Sequence, residues 1–226
     1  SFLIVFVDRS DHSVLKKQCD EIKEKAQNLI KQIVPPEVYG KIQTSQESVL
    51  FTANQAAIAL IQVTGISELI HSRLPQSVLS LVSAFFDRFD VISKKYPAVH
   101  SIESSELVYI ACCGLFDFQD QPKEQIKQAI LFCIDALNQL ADLNQEFNTS
   151  LDLQIIIDYG GPVTGAVLDN QTPQFTVYGH ILFEALTYFP VLKPGIVQVM
   201  PEVQSILSDD NQFELKPIQA SNKFQT

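Results

Sequence analysis

Strands and helices alternate along this sequence in an order suited to a ferredoxin-like βαββαβ sandwich, an α/β (α+β) fold. Three observations predict it. Residues 56–64 form a continuous apolar run, as expected of a strand buried on both faces. Two later segments carry apolar residues at helical spacing: residues 77–95, through Val78, Leu81, Val82, Phe85, Phe89 and Ile92, and residues 125–143, through Ile126, Ala129, Ile130, Cys133, Ile134, Leu137 and Leu140. Short β-prone runs at residues 107–114, 151–157, 162–168 and 196–199 supply the remaining strands, with Gly160 and Gly161 marking a turn.

The elements before this core read differently. Residues 2–7 are a β-prone run, and residues 8–13 hold several side chains able to cap a helix. Leu15, Cys19, Ile22, Ala26, Leu29 and Ile33 then recur at spacings of four and three, the seam of a coiled coil, with Lys16, Lys17, Glu21, Lys23, Glu24 and Lys25 outside it. An ordinary amphipathic helix packed on its own domain would show the same spacing. Pro35 and Pro36 end that helix, because a residue preceding proline is pushed out of the α region. The strand, the Asp-containing turn and the helix resemble the end of a PAS-type sensor domain passing into a signalling helix. The expected division is residues 1–12 as the end of an upstream PAS-like domain, 13–43 as signalling helix and linker, 44–218 as the main domain and 219–226 as a polar tail.

Composition bounds the function. With 226 residues, 46% hydrophobic and 19% charged, the chain can bury one large core, which argues against disorder. A net charge of -10 argues against nucleic acid or an anionic membrane surface as partner, since both demand a basic footprint. Cys19, Cys112, Cys113 and Cys133 have no metal-ligand spacing and read as buried, reduced thiols; Cys112 and Cys113, adjacent in a strand, would point to opposite faces. No apolar run approaches the roughly 20 residues a membrane span needs. The start at Ser1 suggests a segment of a longer protein, and the expected setting is cytoplasmic, the intracellular part of a longer receptor with or without a membrane anchor.

Several blocks resemble the class III nucleotidyl cyclases, the adenylyl and guanylyl cyclases. Residues 33–43 are similar to that family's linker into its core. Gln62-Val63-Thr64-Gly65-Ile66-Ser67 stands where the family has Asp-Ile-x-Gly-Phe-Thr, and Phe85 to Asp90 is similar to its Phe-x-Arg-Phe-Asp helix. Gly114-Leu115 closes the central hairpin, and Pro194 to Val199 is similar to Pro-Gly-x-Ile-x-Val. The run from Gly179 to Thr187 stands where the family has Gly-Asp-x-x-Asn-x-Ala-x-Arg. The resemblance implies a class III cyclase version of the sandwich, working as a head-to-tail homodimer or heterodimer whose two composite sites lie at the interface.

The chemistry that the resemblance implies meets altered residues. Attack of the 3′ hydroxyl on the α-phosphorus needs two Mg²⁺ or Mn²⁺ ions, held by carboxylates, to neutralise developing charge. Gln62 occupies the position of the first metal aspartate, and a neutral amide brings no charge. The second falls in the central hairpin: counting forward from Arg88 reaches Glu106, and counting back from Gly114 reaches Leu107. Phe183 replaces the ribose-orienting asparagine, and Thr187 the arginine that stabilises the transition state, a loss worth about 3 kcal/mol or more. Glu103 and Thr176 stand nearest the positions that select the purine, and His180 replaces the aspartate after Gly179.

These readings describe a degenerate cyclase homology domain used for dimerisation or regulation in cyclic-nucleotide signalling, with no cofactor. Two alternatives stay open. One is an active cyclase making the 3′,5′-cyclic nucleotide and pyrophosphate from ATP or GTP with Mg²⁺ or Mn²⁺ and Glu106 as surviving ligand. The other is a metal-free module binding a nucleotide or another small ligand. If the seam sets the register of two such domains, Ile22→Glu or Leu29→Glu will shift the full-length protein toward monomer in sedimentation while leaving the core's melting temperature unchanged. Unfolding of the core with association intact would place the seam within one subunit.

Overall fold

The computed structural model describes residues 17, 21, 24, 25, 38–40, 50–105, 108–118, 120–168, 174–210 and 212–217, and the side chains of residues 103–105, 168 and 174 are excluded from it. Its five-stranded sheet has the order β3-β4-β2-β5-β8, formed by β2 (Ala56–Thr64), β3 (Val99–Ser105), β4 (Val108–Cys113), β5 (Asp152–Gly160) and β8 (Ile196–Val199). The helices α2 (Pro75–Ser93) and α3 (Pro122–Phe147) connect β2 to β3 and β4 to β5, which completes the βαββαβ order expected from the sequence. All pairings are antiparallel except β5 with β8, which is parallel. A second sheet, β1-β6-β7, consists of β1 (Leu50–Ala53), β6 (Val163–Leu168) and β7 (Gln174–Gly179). Short helices α1 (Ile66–Ser72) and α5 (Pro201–Leu207), the longer α4 (His180–Tyr188) and a single 3-10 turn at Phe189–Val191 follow the strands they flank.

The long sheet is apolar on both faces, so it organises two cores. Ala57, Ala59, Ile61 and Val63 of β2 point into one, beneath α2, α3 and α5, with Phe85, Phe89, Phe132 and Tyr109 at its centre. Ala56, Ile58 and Leu60 point into the other, beneath α4 and the second sheet, with Phe175, Val177 and Leu182. Val38 is buried in this second core. Strand alternation sends Cys113 to the first core and Cys112 to the second, and both thiols are free and buried. Burial pushes the Cys112 thiol up to about 12, which leaves it a packing residue.

Polar ties hold the helical layer in register. The Gln128 side chain accepts a hydrogen bond from the Ala98 amide at 2.8 Å, in a buried position just before β3. Tyr109 donates to Asp90 at 2.8 Å, joining β4 to α2, while its ring packs edge-on against Phe89. Arg73 donates to the carbonyls of Phe147 and Asn148 at 2.9 Å and 2.8 Å, satisfying groups left open at the end of α3. Arg88 and Glu146 form an ion pair between α2 and α3.

The predicted elements reappear with shifted ends. Both long helices start earlier than periodicity indicates because proline occupies their first turn, at Pro75 and Pro122, where its missing N–H has no intrahelical partner. Helix α3 runs on to Phe147 and stops at Asn148, which adopts the left-handed conformation. The apolar patterns do not single out strands β1, β3 and β7 or helices α1 and α5. β3 reads His-Ser-Ile-Glu-Ser-Ser after its first residue because it is an edge strand, bulged between Ser101 and Glu103, and lacks a long apolar run. The seam residues Leu15, Cys19, Ile22, Ala26, Leu29 and Ile33, the Pro35-Pro36 break and the tail at 219–226 lie outside the described residues. Lys17, Glu21, Glu24 and Lys25, expected off the seam, are helical and exposed.

Replacing Gln128 with alanine will leave the Ala98 amide buried without its acceptor. Urea unfolding should then show a loss of about 1–3 kcal/mol with an unchanged denaturant slope.

Candidate functional site

Helix α4 carries three of the positions singled out in the sequence, His180, Phe183 and Thr187, and its mounting is set by the strands around it. The β6–β7 hairpin delivers the chain at Gly179, which pairs with Val163, and α4 starts at the next residue. Ile181, Leu182 and Ala185 face inward and are buried on β5 and β2. The approach is close at Gly160, where any side-chain carbon would collide with Ile181, so glycine is required there.

The outward side of α4 is apolar where the resemblance implied polar catalytic groups. Phe183 is 58% exposed, and Leu186 and Tyr188 are exposed beside it on the helix. The Thr187 hydroxyl donates to the Glu184 carbonyl at 2.7 Å, closing on its own helix. His180 Nδ1 lies 3.3 Å from Glu184 Oε2, an exposed pair one helical turn apart.

Gln62 sits near the end of β2, opposite Val108 on β4 and Gln154 on β5. Alternation from Ile58 and Leu60 turns it to the same sheet face as α4, and it is only partly buried. Gln154 Nε2 donates to the Leu192 carbonyl at 2.8 Å, so the chain leaving α4 is fastened beside this end of the sheet. The two hairpin candidates, Glu106 and Leu107, lie outside the described residues, but they directly precede Val108. The backbone of Glu103 pairs with Ile110, and Thr176 is on β7 opposite Ala166, in the other sheet; β3 and β7 run against each other. Among the described residues no three His, Cys, Asp or Glu side chains are grouped as metal ligands.

One residue beside α4 was missed by the reading of motifs. Asp158, on β5, is 2% exposed, and its Oδ1 accepts a 2.7 Å hydrogen bond from the Tyr159 amide. Burial, then the negative charges of Glu184 and Glu202, push its carboxyl up to about 6, against the Tyr159 hydrogen bond and His180, which pull it down. A signal was present in the sequence: a lone aspartate in the apolar run from Ile155 to Tyr159.

A family model described as the adenylate and guanylate cyclase catalytic domain matches residues 50–222, nearly all of the described core. The chain belongs to that family. This cyclase-family domain is 22% identical over 203 residues to the germination-specific adenylate cyclase of Dictyostelium discoideum, covering 90% of the chain and 23% of that protein. It is 19% identical over 188 residues to a receptor-type guanylate cyclase of Caenorhabditis elegans, covering 83% of the chain and 16% of that protein. The chain therefore spans less than a quarter of either relative.

Among solved structures, the guanylate cyclase domain of a Catenaria anguillulae protein in complex with GTP superposes with a TM-score of 0.66 at 16% identity, covering 74% of this chain and 88% of that one. A dimeric guanylyl cyclase domain from Blastocladiella emersonii gives 0.62 at 17% identity, covering 70% and 85%. The adenylyl cyclase CyaB of P. aeruginosa gives 0.62 at 15%, covering 73% and 84%. At these identities the likeness establishes the fold.

Because Phe183 and Thr187 face outward, the cyclase-family fold does not depend on either. Phe183→Asn and Thr187→Ala should each change unfolding free energy by no more than about 0.5 kcal/mol, as read by urea denaturation.

Proposed function

We propose that this cyclase-family domain is catalytically degenerate and acts as a dimerisation or regulatory module in cyclic-nucleotide signal transduction. The observation that carries the reading is the state of α4. Its buried side is kept as the fold requires, while the outward positions matching the asparagine and arginine hold an exposed Phe183 and a Thr187 bonded to its own helix. Neither side chain can supply a cation to a pentavalent phosphorus.

The metal half agrees with this on chemical grounds. Two divalent ions need hard, anionic oxygen ligands, and the amide of Gln62 provides one neutral oxygen. With at most Glu106 remaining, the residues do not fit a two-metal centre, and no step is assigned to metal ions. A heterodimer with a complete cyclase would gain neither set of missing groups from this chain, so its contribution to such a pair is structural. The curated relatives are a germination-specific adenylate cyclase and a receptor-type guanylate cyclase, each far longer than the match. The receptor-type relative supports a place for this domain in a larger receptor, in whose cytoplasmic part residues 13–43 would serve as an N-terminal signalling helix.

The test is direct. The full-length protein, given ATP or GTP with Mg²⁺ or Mn²⁺, should form no cyclic nucleotide above a protein-free blank. Turnover abolished by Glu106→Ala would overturn the proposal and establish an active enzyme. Saturable nucleotide binding in the presence of EDTA, without turnover, would replace it with the metal-free binding reading.

A further inference from the structure

Asp158 occupies the junction at which two helices meet the long sheet. One residue before it, the Ile157 carbonyl accepts from the Met200 amide at 2.9 Å, where the chain enters α5. Two residues after it, Gly160 lies under Ile181, where α4 begins. Asp158 pairs with Ile58 of β2, whose side chain enters the second core, so the carboxyl lies on the α4 face of β5, near the strand end at which α5 starts. Val199 and Met200, on the β8 side, bring no charge. The charged and titratable groups facing it from the surrounding elements are His180 and Glu184 on α4 and Glu202 on α5.

Two of those three are carboxylates, and the Asp158 carboxylate accepts its hydrogen bond from the neighbouring Tyr159 amide. An ionised Asp158 is therefore an anion buried on the α4 face, repelled by Glu184 of that helix and by Glu202 near the start of α5. Protonation removes that repulsion and the cost of holding a charge away from water.

We propose that Asp158 is an acid-sensitive latch: protonated, it lets α4 seat fully on β5, and ionised, it loosens α4 while the rest of the sandwich stays closed. The device concerns the element bearing Phe183 and Thr187, and it holds whether or not the domain turns over nucleotide.

The sign follows from which state holds the proton more tightly. In the closed state the carboxyl titrates at about 6, whereas once α4 lifts and water enters it should return toward its ordinary value of 3.8. The closed state binds more protons between those values, so its advantage is largest at acid pH, declines as pH rises through the window, and is constant above it. Opening of α4 should be about tenfold more frequent at pH about 7.5 than at pH about 5.

Hydrogen exchange resolved by residue, corrected for the intrinsic pH dependence of exchange, reads this directly on the full-length protein. The amides of residues 184–188 should gain about tenfold protection on acidification, while those in the middle of α2 stay constant. Asp158→Asn should abolish the pH dependence and hold α4 at the acid level throughout. Equal pH dependence in the wild type and in D158N, or constant protection of α4 in the wild type, would overturn the latch. Should D158N fail to fold, Glu184→Gln serves instead. It removes one of the facing carboxylates and should move the midpoint, followed by the Asp158 carboxyl carbon signal in NMR, to lower pH; an unmoved midpoint would refute the proposed coupling.

Discussion

The whole domain depends on β2 being a strand with no exposed face for most of its length. From Ala56 to Ile61 every residue is fully buried, alternate side chains feeding one core and then the other, while β4 and β5 satisfy the backbone on both edges. A polar or bulky intrusion there would strike both layers, because α2 and α3 rest on one face and α4 with the second sheet on the other. Gln62 is where that constraint relaxes. As the strand emerges from double burial a polar side chain becomes tolerable, so residue type at position 62 can vary without cost to the fold.

Helix α4 repeats the same logic over the second face of the sheet. Ile181, Leu182 and Ala185 are held by packing and by the close approach at Gly160, whereas Phe183, Leu186 and Thr187 answer only to solvent or to a partner. A fold constrains its inward positions through volume and desolvation, and its outward ones scarcely at all. A cyclase frame is therefore physically compatible with the proposed replacement of the reactive groups. The exception is Asp158, which sits inside and is polar, and it makes the seat of α4 respond to charge instead of to packing alone.

Much of this architecture was legible in the sequence because its signals are local. The run at residues 56–64 and the helical spacing of Val78, Leu81 and Phe85, or of Ile126, Ala129 and Cys133, report burial directly. Proline at the first turn explains why α2 and α3 begin before their apolar faces do. The edge strand β3 and the short β1 and β7 were hidden because an edge or a second, half-covered sheet needs no continuous apolar run. Gln62, Phe183 and Thr187 could be singled out from the resemblance in motif order, since motif order is one-dimensional information.

The sequence by itself determined the α/β sandwich, the order of its main strands and helices, and which residue types occupy the positions resembling a cyclase site. Only the tertiary structure decided which way those residues face. It turned Gln62 toward the α4 side of the sheet, left Phe183 on the surface, closed the Thr187 hydroxyl onto its own helix and buried Asp158 on the α4 face of β5. The reason is that strand alternation and helical periodicity are written in neighbouring residues. The burial of a carboxylate, by contrast, depends on segments more than twenty positions away in the chain, Glu184 and Glu202 among them, that become its neighbours only after folding.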